Sequence, residues 1–183
     1  GHRHMRGLGA DLVFATPFFA DLARKSGVTL ACQDDAERLL ANGEVVGVWP
    51  EGFKGVGKLY KDRYKLQRFG RGGFVNAAVR AKAPIIPVSI VGAEETYPML
   101  ANVPVLARLL GLPYFPITPT FPAFGPLGML PLPSKWIIEF GTPISTVELA
   151  DEPIQHLDLA EQIRGEISAT LERLLIERGN PFL

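Results

Sequence analysis

The chain has 183 residues, of which 47% are hydrophobic and 21% are charged. That length and composition suit a folded domain with a continuous core and exclude an intrinsically disordered protein. The formal net charge is zero, and the single cysteine, Cys32, excludes an internal disulfide framework.

Short helices and strands are predicted to alternate at the start of the chain. Residues 11–26 predict a short amphipathic helix, and residues 28–31 predict a brief strand. Residues 36–41 predict a second helix, for which Asp34 or Asp35 supplies the N-cap.

The middle of the chain contains two predicted buried strands with a long loop between them. Residues 44–49 include three valines and predict the first strand, and residues 85–91 predict the second. Residues 50–73 are glycine-rich, basic and irregular, which predicts a functional loop, and residues 74–81 predict a helix.

An apolar, proline-rich segment covers residues 98–133. It contains most of the longest charge-free run of the chain, residues 109–134, which has the length of a membrane span. Prolines recur in this run and remove backbone donors, so we predict no spanning helix. We expect a surface segment that lines an apolar groove or touches a membrane.

The last part of the chain predicts a strand over residues 136–140 and a long helix from Pro153 onward. Apolar residues recur in this helix at three- and four-residue steps, which is typical of a helix that packs on a core. The stripe consists of Ala160, Ile163, Ile167, Leu171 and Leu174.

Interleaved strands and helices indicate an α/β fold with a central, mostly parallel sheet flanked by helices and a C-terminal amphipathic helix. We predict a single domain over residues 1–183. Because such folds place their sites in loops after strand C-termini, the loop after residues 44–49 is the first candidate for a functional site.

Basic residues are concentrated in that loop and in the first half of the chain. Residues 1–82 carry 14 Lys/Arg and 8 Asp/Glu, whereas residues 83–183 carry 5 and 11. Seven of the basic residues lie between Lys54 and Arg71, where Asp62 is the one acidic residue. Such a cluster either binds phosphate groups or forms a solvated basic loop, and the cluster alone favours the solvated loop.

Two interpretations fit the glycine-rich part of the loop. In the first, residues 52–58 match the first seven positions of a nucleotide-binding P-loop and follow a predicted strand. However, Leu59 stands where a serine or threonine hydroxyl should bind magnesium, and no apolar strand ending in aspartate follows. These absences disfavour a nucleotide hydrolase.

The second interpretation starts from Glu51 and Lys54, which a strand delivers to one loop three positions apart. An ammonium binds a phosphate or carboxylate through a charge-assisted hydrogen bond worth roughly 1.5–3 kcal/mol. A neighbouring carboxylate accepts a hydrogen bond from a hydroxyl or orients the cation. The pair therefore suits a headgroup with both phosphate and hydroxyl, although a local ion pair in a structural turn explains it equally well.

Residues 49–54, Trp-Pro-Glu-Gly-Phe-Lys, resemble the third motif, Phe-Pro-Glu-Gly-Thr-Arg, of the lysophospholipid and glycerolipid acyltransferase family. Residues 83–90 are similar to the fourth motif of that family, which is built around Ile-Pro-Val, and residues 14–27 are similar to the weaker second motif. The resemblance implies transfer of a fatty acyl group from acyl-CoA or acyl carrier protein to a hydroxyl of a lysophospholipid or other glycerolipid. It implies no cofactor and no metal ion.

The resemblance also implies roles for individual residues. Glu51 and Lys54 would contact the acceptor headgroup, Gly52 would allow close backbone approach, and Pro87 would shape the cleft. Phe53, in the same binding loop, replaces a small polar residue of the motif. Lys54 replaces an arginine and lacks its bidentate fork, so the acceptor need not be a lysophosphatidate. Further contacts to phosphate or CoA are expected from Lys58, Lys61, Arg63, Lys65, Arg68 and Arg71.

The catalytic base of the family is a histidine followed five positions later by an aspartate. It removes the proton of the acceptor hydroxyl, and general base catalysis supplies roughly 10²–10⁴ in rate. None of the histidines of this chain, His2, His4 and His156, has an aspartate at that position. We therefore predict that the motif lies upstream, that the chain lacks its N-terminal part and its catalytic residues, and that His156 is structural or exposed.

The resemblance implies three partners: an acyl thioester donor, a lipid acceptor and a membrane surface. We expect peripheral association with the cytoplasmic side of a membrane. Nucleic-acid binding is not expected, because the net charge is zero and no nucleic-acid motif is present. The alternative to an enzyme is a non-catalytic lipid- or acyl-binding module on a membrane surface.

Overall fold

The computed structural model describes residues 3–9, 14, 19–70, 72–112 and 114–182. The chain divides into two compact units. Unit 1 comprises Gly1–Gly52, Arg68–Ile86 and Thr142–Gln162, and unit 2 comprises Phe53–Gln67, Pro87–Gly141 and Ile163–Leu183. That residues 1–183 form one domain stays a prediction.

Within the described residues, seven strands and seven helices are labelled in chain order. The strands are β1 (Met5–Gly9), β2 (Thr29–Leu30), β3 (Val45–Gly47), β4 (Val88–Val91), β5 (Ala101–Asn102), β6 (Pro116–Ile117) and β7 (Ile137–Phe140). The helices are α1 (Phe19–Lys25), α2 (Gln33–Ala41), α3 (Phe53–Val56), α4 (Gly73–Arg80), α5 (Ala93–Thr96), α6 (Pro104–Leu109) and α7 (Pro153–Arg178). Short 3-10 helices cover Tyr60–Asp62 and Gly125–Met129.

A three-stranded parallel sheet organises unit 1. Its strand order is β2-β1-β3, with Leu8 opposite Thr29 and Met5 opposite Val45. The predicted parallel sheet is therefore present in part, as this small sheet.

The central strand, β1, is not predicted by the sequence pattern, because its glycines disfavour a strand. Their role is spatial. A Cβ on Gly9 would lie 2.8 Å from Val28 Cγ1, and a Cβ on Gly7 would lie 3.6 Å from both Val28 Cγ2 and Trp49 Cζ3. Glycine thus lets neighbouring side chains pack directly on the backbone of the strand.

The strand predicted over residues 44–49 is shorter and more exposed than expected. Only Val45–Gly47 form β3, and the side chains of Val45, Val48 and Trp49 are exposed. Because β3 lies at one edge of the three strands, it keeps more of its surface in water than the buried strand that its valines predict.

The helices described in unit 1 lie where the sequence predicts helices, but α2 begins earlier than expected. α4 confirms the helix predicted over residues 74–81. α2 begins at Gln33, after the N-cap residue Cys32, so Asp34 and Asp35 are not caps. They lie in the first turn, where negative charge stabilises the helix dipole. α1 forms the later part of the helix predicted over residues 11–26, whose other residues, except Phe14 and Ser26, lie outside the described residues.

The strands of unit 2 pair in antiparallel fashion, which corrects the expectation of one mostly parallel sheet. β4 pairs with β7, with Val88 opposite Phe140, and β5 pairs with β6. The ladder starts after Pro87, because proline has no N–H to donate. Of the strand predicted over residues 85–91, the part before β4 forms only an isolated bridge at Ile85.

The C-terminal helix is confirmed as α7, which has 26 residues. Its predicted stripe is buried at Ala160, Ile163, Leu171 and Leu174. In unit 2, the two leucines form a core cluster with Val91, against which other apolar side chains pack. Full burial of one such leucine contributes about 1.5–3 kcal/mol.

Residues 98–133 form short elements rather than one long helix, as their prolines predict. Among the residues that the structure describes, no helix has both the length and the hydrophobicity to cross a bilayer.

Candidate active site

The turn after β3 contains the first part of the predicted site. The Gly52 N–H donates a hydrogen bond of 3.0 Å to the Trp49 carbonyl and closes a four-residue turn. Gly52 has a φ of +57°, and a Cβ there would meet nothing within 4 Å. Backbone conformation therefore selects glycine, and the open space leaves the backbone accessible to a ligand. The Gly70 N–H donates to the Pro50 carbonyl over 3.3 Å and ties the turn to another segment of unit 1.

Glu51 and Lys54 differ in their surroundings. Glu51 is half-buried in the turn and already takes part in an interaction within the folded chain. Lys54 is exposed on α3, in unit 2, and has no hydrogen bond or ion pair with another described residue. Because the two residues belong to different units, their joint action on one headgroup stays a prediction. The side chain of Phe53 lies outside what the structure describes.

Lys58 is a buried structural cation. Its ammonium donates to Glu94 Oε1 over 2.9 Å and to the Lys65 carbonyl over 3.1 Å, and its side chain is only 7% exposed. This lysine would have to reach a nucleotide phosphate in a P-loop. The chain that follows forms a 3-10 turn at Tyr60–Asp62 instead of a helix packed on a sheet. Both observations disfavour the nucleotide-binding alternative.

The other predicted phosphate-binding residues divide into engaged and available cations. Lys65 forms an exposed ion pair with Asp62 at 3.0 Å. The Cζ atom of Arg63 lies over the ring of Tyr60, 4.5 Å from its centroid, and Arg63 Nε lies 3.9 Å from Glu95 Oε1. The exposed cations without a hydrogen bond or ion pair to another described residue are Lys61 in unit 2 and Arg68 in unit 1. Arg71 lies outside the described residues.

A buried charged cluster in unit 2 was not predicted. Arg178 Nη2 donates to Glu95 Oε1 over 2.8 Å, and the Tyr64 hydroxyl donates to the other oxygen of Glu95. The same hydroxyl accepts the Gly92 N–H over 2.8 Å. Glu95 and Arg178 are both buried, so a carboxylate and a guanidinium share an interior site. The cluster fixes Tyr64, in the segment of residues 50–73 that we call the basic loop, to α5 and to the end of α7.

The environment of this cluster shifts the pKa of all three members, and the hydrogen bond to Glu95 raises that of Arg178. Burial and the hydrogen bond to Glu95 raise the pKa of Tyr64 to about 12. Burial alone would raise the pKa of Glu95, but hydrogen bonds from Arg178 and Tyr64 outweigh it and hold that pKa below its ordinary value. The phenol therefore stays protonated and the carboxylate ionised at neutral pH.

A sequence signal for this cluster existed. Glu94 and Glu95 directly follow a predicted buried strand and Gly92-Ala93, and seven cations precede them in the loop. Glu94 accepts a hydrogen bond from Lys58, and Glu95 accepts one from Tyr64. The clue in the sequence was the excess of positive charge in the loop, which calls for acidic partners elsewhere in the chain.

His156 is buried in unit 1, which agrees with a structural role. Its Nδ1 lies 3.4 Å from Asn76 Nδ2, and its Nε2 lies 3.7 Å from Asp151 Oδ1. A Cβ on Gly72 would approach the His156 carbonyl oxygen to 3.1 Å, so glycine lets the two segments meet. The ring is enclosed by protein on these sides and is poorly placed to serve as a base for a substrate.

Pro87 is the first residue of the second segment of unit 2 and is buried. Its carbonyl accepts the Gly141 N–H over 2.8 Å and extends the pairing of β4 with β7. A Cβ on Gly141 would lie 3.3 Å from Pro87 Cβ. This contact gives Pro87 a structural role, and its predicted contribution to a substrate cleft stays a prediction. In the described part of the chain, no group of three or more His, Cys, Asp or Glu side chains is placed to hold a metal ion.

Comparison with known proteins identifies the first half of the chain. The model of a family described as Acyltransferase matches residues 1–91. These residues are therefore similar to the acyltransferase family. The match includes the turn with Glu51 and the segment with Pro87, and it confirms the resemblance drawn from their motifs.

Similar curated proteins come from mycobacteria, and all are named as uncharacterized. One from Mycobacterium tuberculosis and one from Mycobacterium bovis are each 58% identical over 185 residues, which is 99% of this chain and 52% of their own length. One from Mycobacterium leprae is 56% identical over 184 residues, covering 98% of this chain and 50% of its own length. The chain thus spans about half the length of the curated relatives it matches. No solved structure matches it.

Proposed function

We propose that the complete protein containing this chain transfers a fatty acyl group from acyl-CoA or acyl carrier protein to a hydroxyl of a lysophospholipid or other glycerolipid. The observation that carries the proposal is the acyltransferase match over residues 1–91, which includes a strand ending in the turn of Glu51. An accessible turn next to a parallel strand is where α/β folds place ligands.

The chemistry is an ester exchange. The acceptor oxygen attacks the thioester carbonyl carbon, a new C–O bond forms, and the C–S bond breaks to release a thiolate. A general base takes the hydroxyl proton, which then neutralises the thiolate. The histidine–aspartate pair implied by the resemblance does not occur in residues 1–183. Because the chain spans about half the length of its curated relatives, we propose that the remainder of the complete protein supplies the base.

Glu51 and Lys54 are proposed to hold the acceptor headgroup. Lys54 is exposed and available for a phosphate or another anionic group, and the Glu51 carboxylate would accept a hydrogen bond from a free hydroxyl. Gly52 would let the headgroup approach the backbone, because the space beside its Cα is open. Pro87 would shape the cleft through its packing against Gly141.

Phosphate or CoA contacts are proposed chiefly for Lys61 and Arg68, whose side chains are exposed and have no partner among the described residues. Arg71, outside that part, keeps the same proposed role. Lys58, Arg63 and Lys65 are engaged with Glu94, Glu95 and Asp62, so their support for a ligand would be indirect. Peripheral association with the cytoplasmic side of a membrane completes the proposal, since the acceptor is a lipid.

The test is thiol release by the complete protein from acyl-CoA and from acyl carrier protein, with lysophospholipids and acylglycerols as acceptors. Glu51→Gln and Lys54→Met are each expected to lower acyl transfer by roughly 10²-fold, because each removes a charged group that binds the acceptor. Glu148→Gln and Lys25→Met are matched controls at exposed positions and should retain activity. Full turnover by the two site variants would remove Glu51 and Lys54 from the site.

The exposed apolar segment of unit 2 keeps the alternative open, a non-catalytic lipid- or acyl-binding module. That alternative predicts binding of acyl chains without release of thiol from any donor. The same assay distinguishes the two functions when it is run beside a binding measurement with a fluorescent fatty acid.

A further inference from the structure

Unit 2 has a surface of apolar side chains that are exposed to solvent. We call it the apolar lobe and define it as residues 103–112 and 114–130. It carries one charged residue, Arg108, and no acidic residue. Its base is the pairing of β5 with β6, in which Ala101 lies opposite Ile117 and Asn102 opposite Pro116.

The first half of the lobe is α6, which is inserted between these two strands. The Val103 N–H donates to the Phe115 carbonyl over 3.1 Å, and the Leu112 N–H donates to the Ala107 carbonyl over 2.8 Å. Ala107 is buried and faces the unit, whereas Leu109 is 80% exposed. The helix thus has an internal anchor, and its larger apolar side chains point to solvent.

The second half is an ordered loop rather than a collapsed apolar chain. Thr118 Oγ1 accepts the Phe121 N–H over 2.9 Å, and the Thr120 hydroxyl donates to the Gly128 carbonyl over 2.9 Å. Gly128 is buried against the backbone of Thr120, where a side chain would not fit. The two threonine hydroxyls thus supply hydrogen-bond partners to backbone groups of the loop. Leu127, in the same loop, is 72% exposed. Phe124, Met129 and Leu130 are also exposed.

We infer that the apolar lobe inserts into the interfacial layer of a bilayer that contains anionic phospholipid. Exposed leucines, a phenylalanine and a methionine on ordered backbone match the acyl region below the headgroups. The charges match as well, since Arg108 and Lys135 are the only charged residues between Glu95 and Glu139. Exposed Trp136 follows Lys135, and this combination of aromatic ring and cation is typical of a membrane–water boundary.

The chemistry of this surface favours a lipid over a protein partner. Protein interfaces surround an apolar centre with a mixed polar rim, and their partners supply complementary charges of both signs. Along the chain between Glu95 and Glu139, the lobe and its flanks carry cations only, which suits the negative surface of an anionic leaflet. The inference rests on the proposed lipid acceptor, because membrane docking would bring the site to that substrate.

Vesicle flotation of the complete protein tests the inference. The probes are vesicles of phosphatidylcholine alone and of phosphatidylcholine mixed with phosphatidylglycerol in equal parts. Leu109→Ser and Leu127→Ser are each expected to weaken binding to the mixed vesicles about tenfold, because each removes one apolar side chain from the acyl layer. Lys135→Gln should weaken binding about fivefold to the mixed vesicles and leave binding to phosphatidylcholine unchanged.

Ile176→Ser is the matched control, since Ile176 is 84% exposed on α7 and outside the lobe. Equal binding by Leu109→Ser, Leu127→Ser and the unmodified protein would overturn the inference, as would an equal loss for Ile176→Ser. Thermal unfolding of all variants should be unchanged, because the replaced side chains already lie in water.

Acyl transfer to a water-soluble, short-chain acceptor separates this inference from the proposed function. Loss of that activity in Leu127→Ser with intact vesicle binding would assign the lobe to the acyl cleft and overturn docking. If the unmodified protein binds vesicles through the lobe but transfers no acyl group, docking stands and the proposed function fails. Self-association that Leu127→Ser abolishes, without vesicle binding, would assign the lobe to a second copy of the chain and overturn the inference.

Discussion

The basic loop and the apolar lobe each concentrate one kind of side chain in a short stretch of chain. In the part of the loop that belongs to unit 2 the fold buries a cation against an acidic partner, whereas in the lobe it leaves most of the apolar side chains exposed. Lys58 of the loop is buried against Glu94, and Tyr64 reaches the buried Glu95. In the lobe, Leu109 and Leu127 are left in water by backbone that is well hydrogen-bonded. A cluster in sequence therefore does not define a surface. What matters is whether the rest of the unit supplies partners for it.

The largest expected effect follows from breaking the buried cluster that holds the loop. Arg178→Met should lower the free energy of unfolding by about 3–5 kcal/mol, because it leaves the Glu95 carboxylate buried without the cation that donates a hydrogen bond to it. Urea unfolding followed by tryptophan fluorescence measures the loss. Arg173→Met on the same helix is the control, since Arg173 forms exposed ion pairs with Glu139 and Glu177, and its midpoint should not move. Equal losses for both arginines would contradict the argument from burial.

A smaller effect distinguishes the paired cation of the loop from an available one. Lys58→Met should lower the free energy of unfolding by about 1–3 kcal/mol, because Glu94 would lose a buried charged partner. Lys61→Met, at an exposed position in the same loop, should change it by no more than about 0.5 kcal/mol. If Lys61→Met weakens acyl-CoA binding while Lys58→Met only destabilises the fold, the division of the loop is correct. Identical behaviour of the two variants would show that the division is wrong.

The smallest effect is a pH dependence of stability that arises at Tyr64 of the loop; burial also raises the pKa of Tyr114 in the lobe. The pKa of Tyr64 is raised to about 12 from an ordinary value of 10.0, so its contribution to stability is complete below pH 10. Between about pH 10 and 12 the unfolded chain loses this proton while the folded chain keeps it, so stability falls. Unfolding midpoints measured across that range should decline, and Tyr64→Phe should flatten the decline. The lowered pKa of Glu95 acts at the other end, where its contribution is lost as the pH falls through that pKa.

Periodicity and motif predicted different parts of the molecule. The stripe of α7 could be predicted because its residues are neighbours on one helix face, and the turn with Glu51 could be predicted because its motif is local. The ion pair of Glu95 with Arg178 joins residues 83 positions apart, which no local pattern reveals. β1 was missed for a related reason, since its glycines are selected by Val28 and Trp49, which belong to other segments. The antiparallel pairing of β4 also depends on a distant partner, β7.

Arg178 is the last residue of α7, and helix ends ordinarily fray because their final carbonyls lack internal donors. Here the terminal residue is locked to Glu95, and the Lys135 N–H donates to the Pro181 carbonyl over 3.0 Å just beyond it. The segment that follows the longest helix is therefore held in place by contacts on both sides of the helix end. Any polypeptide that follows in the complete protein would start from this anchored position and would inherit its orientation from it.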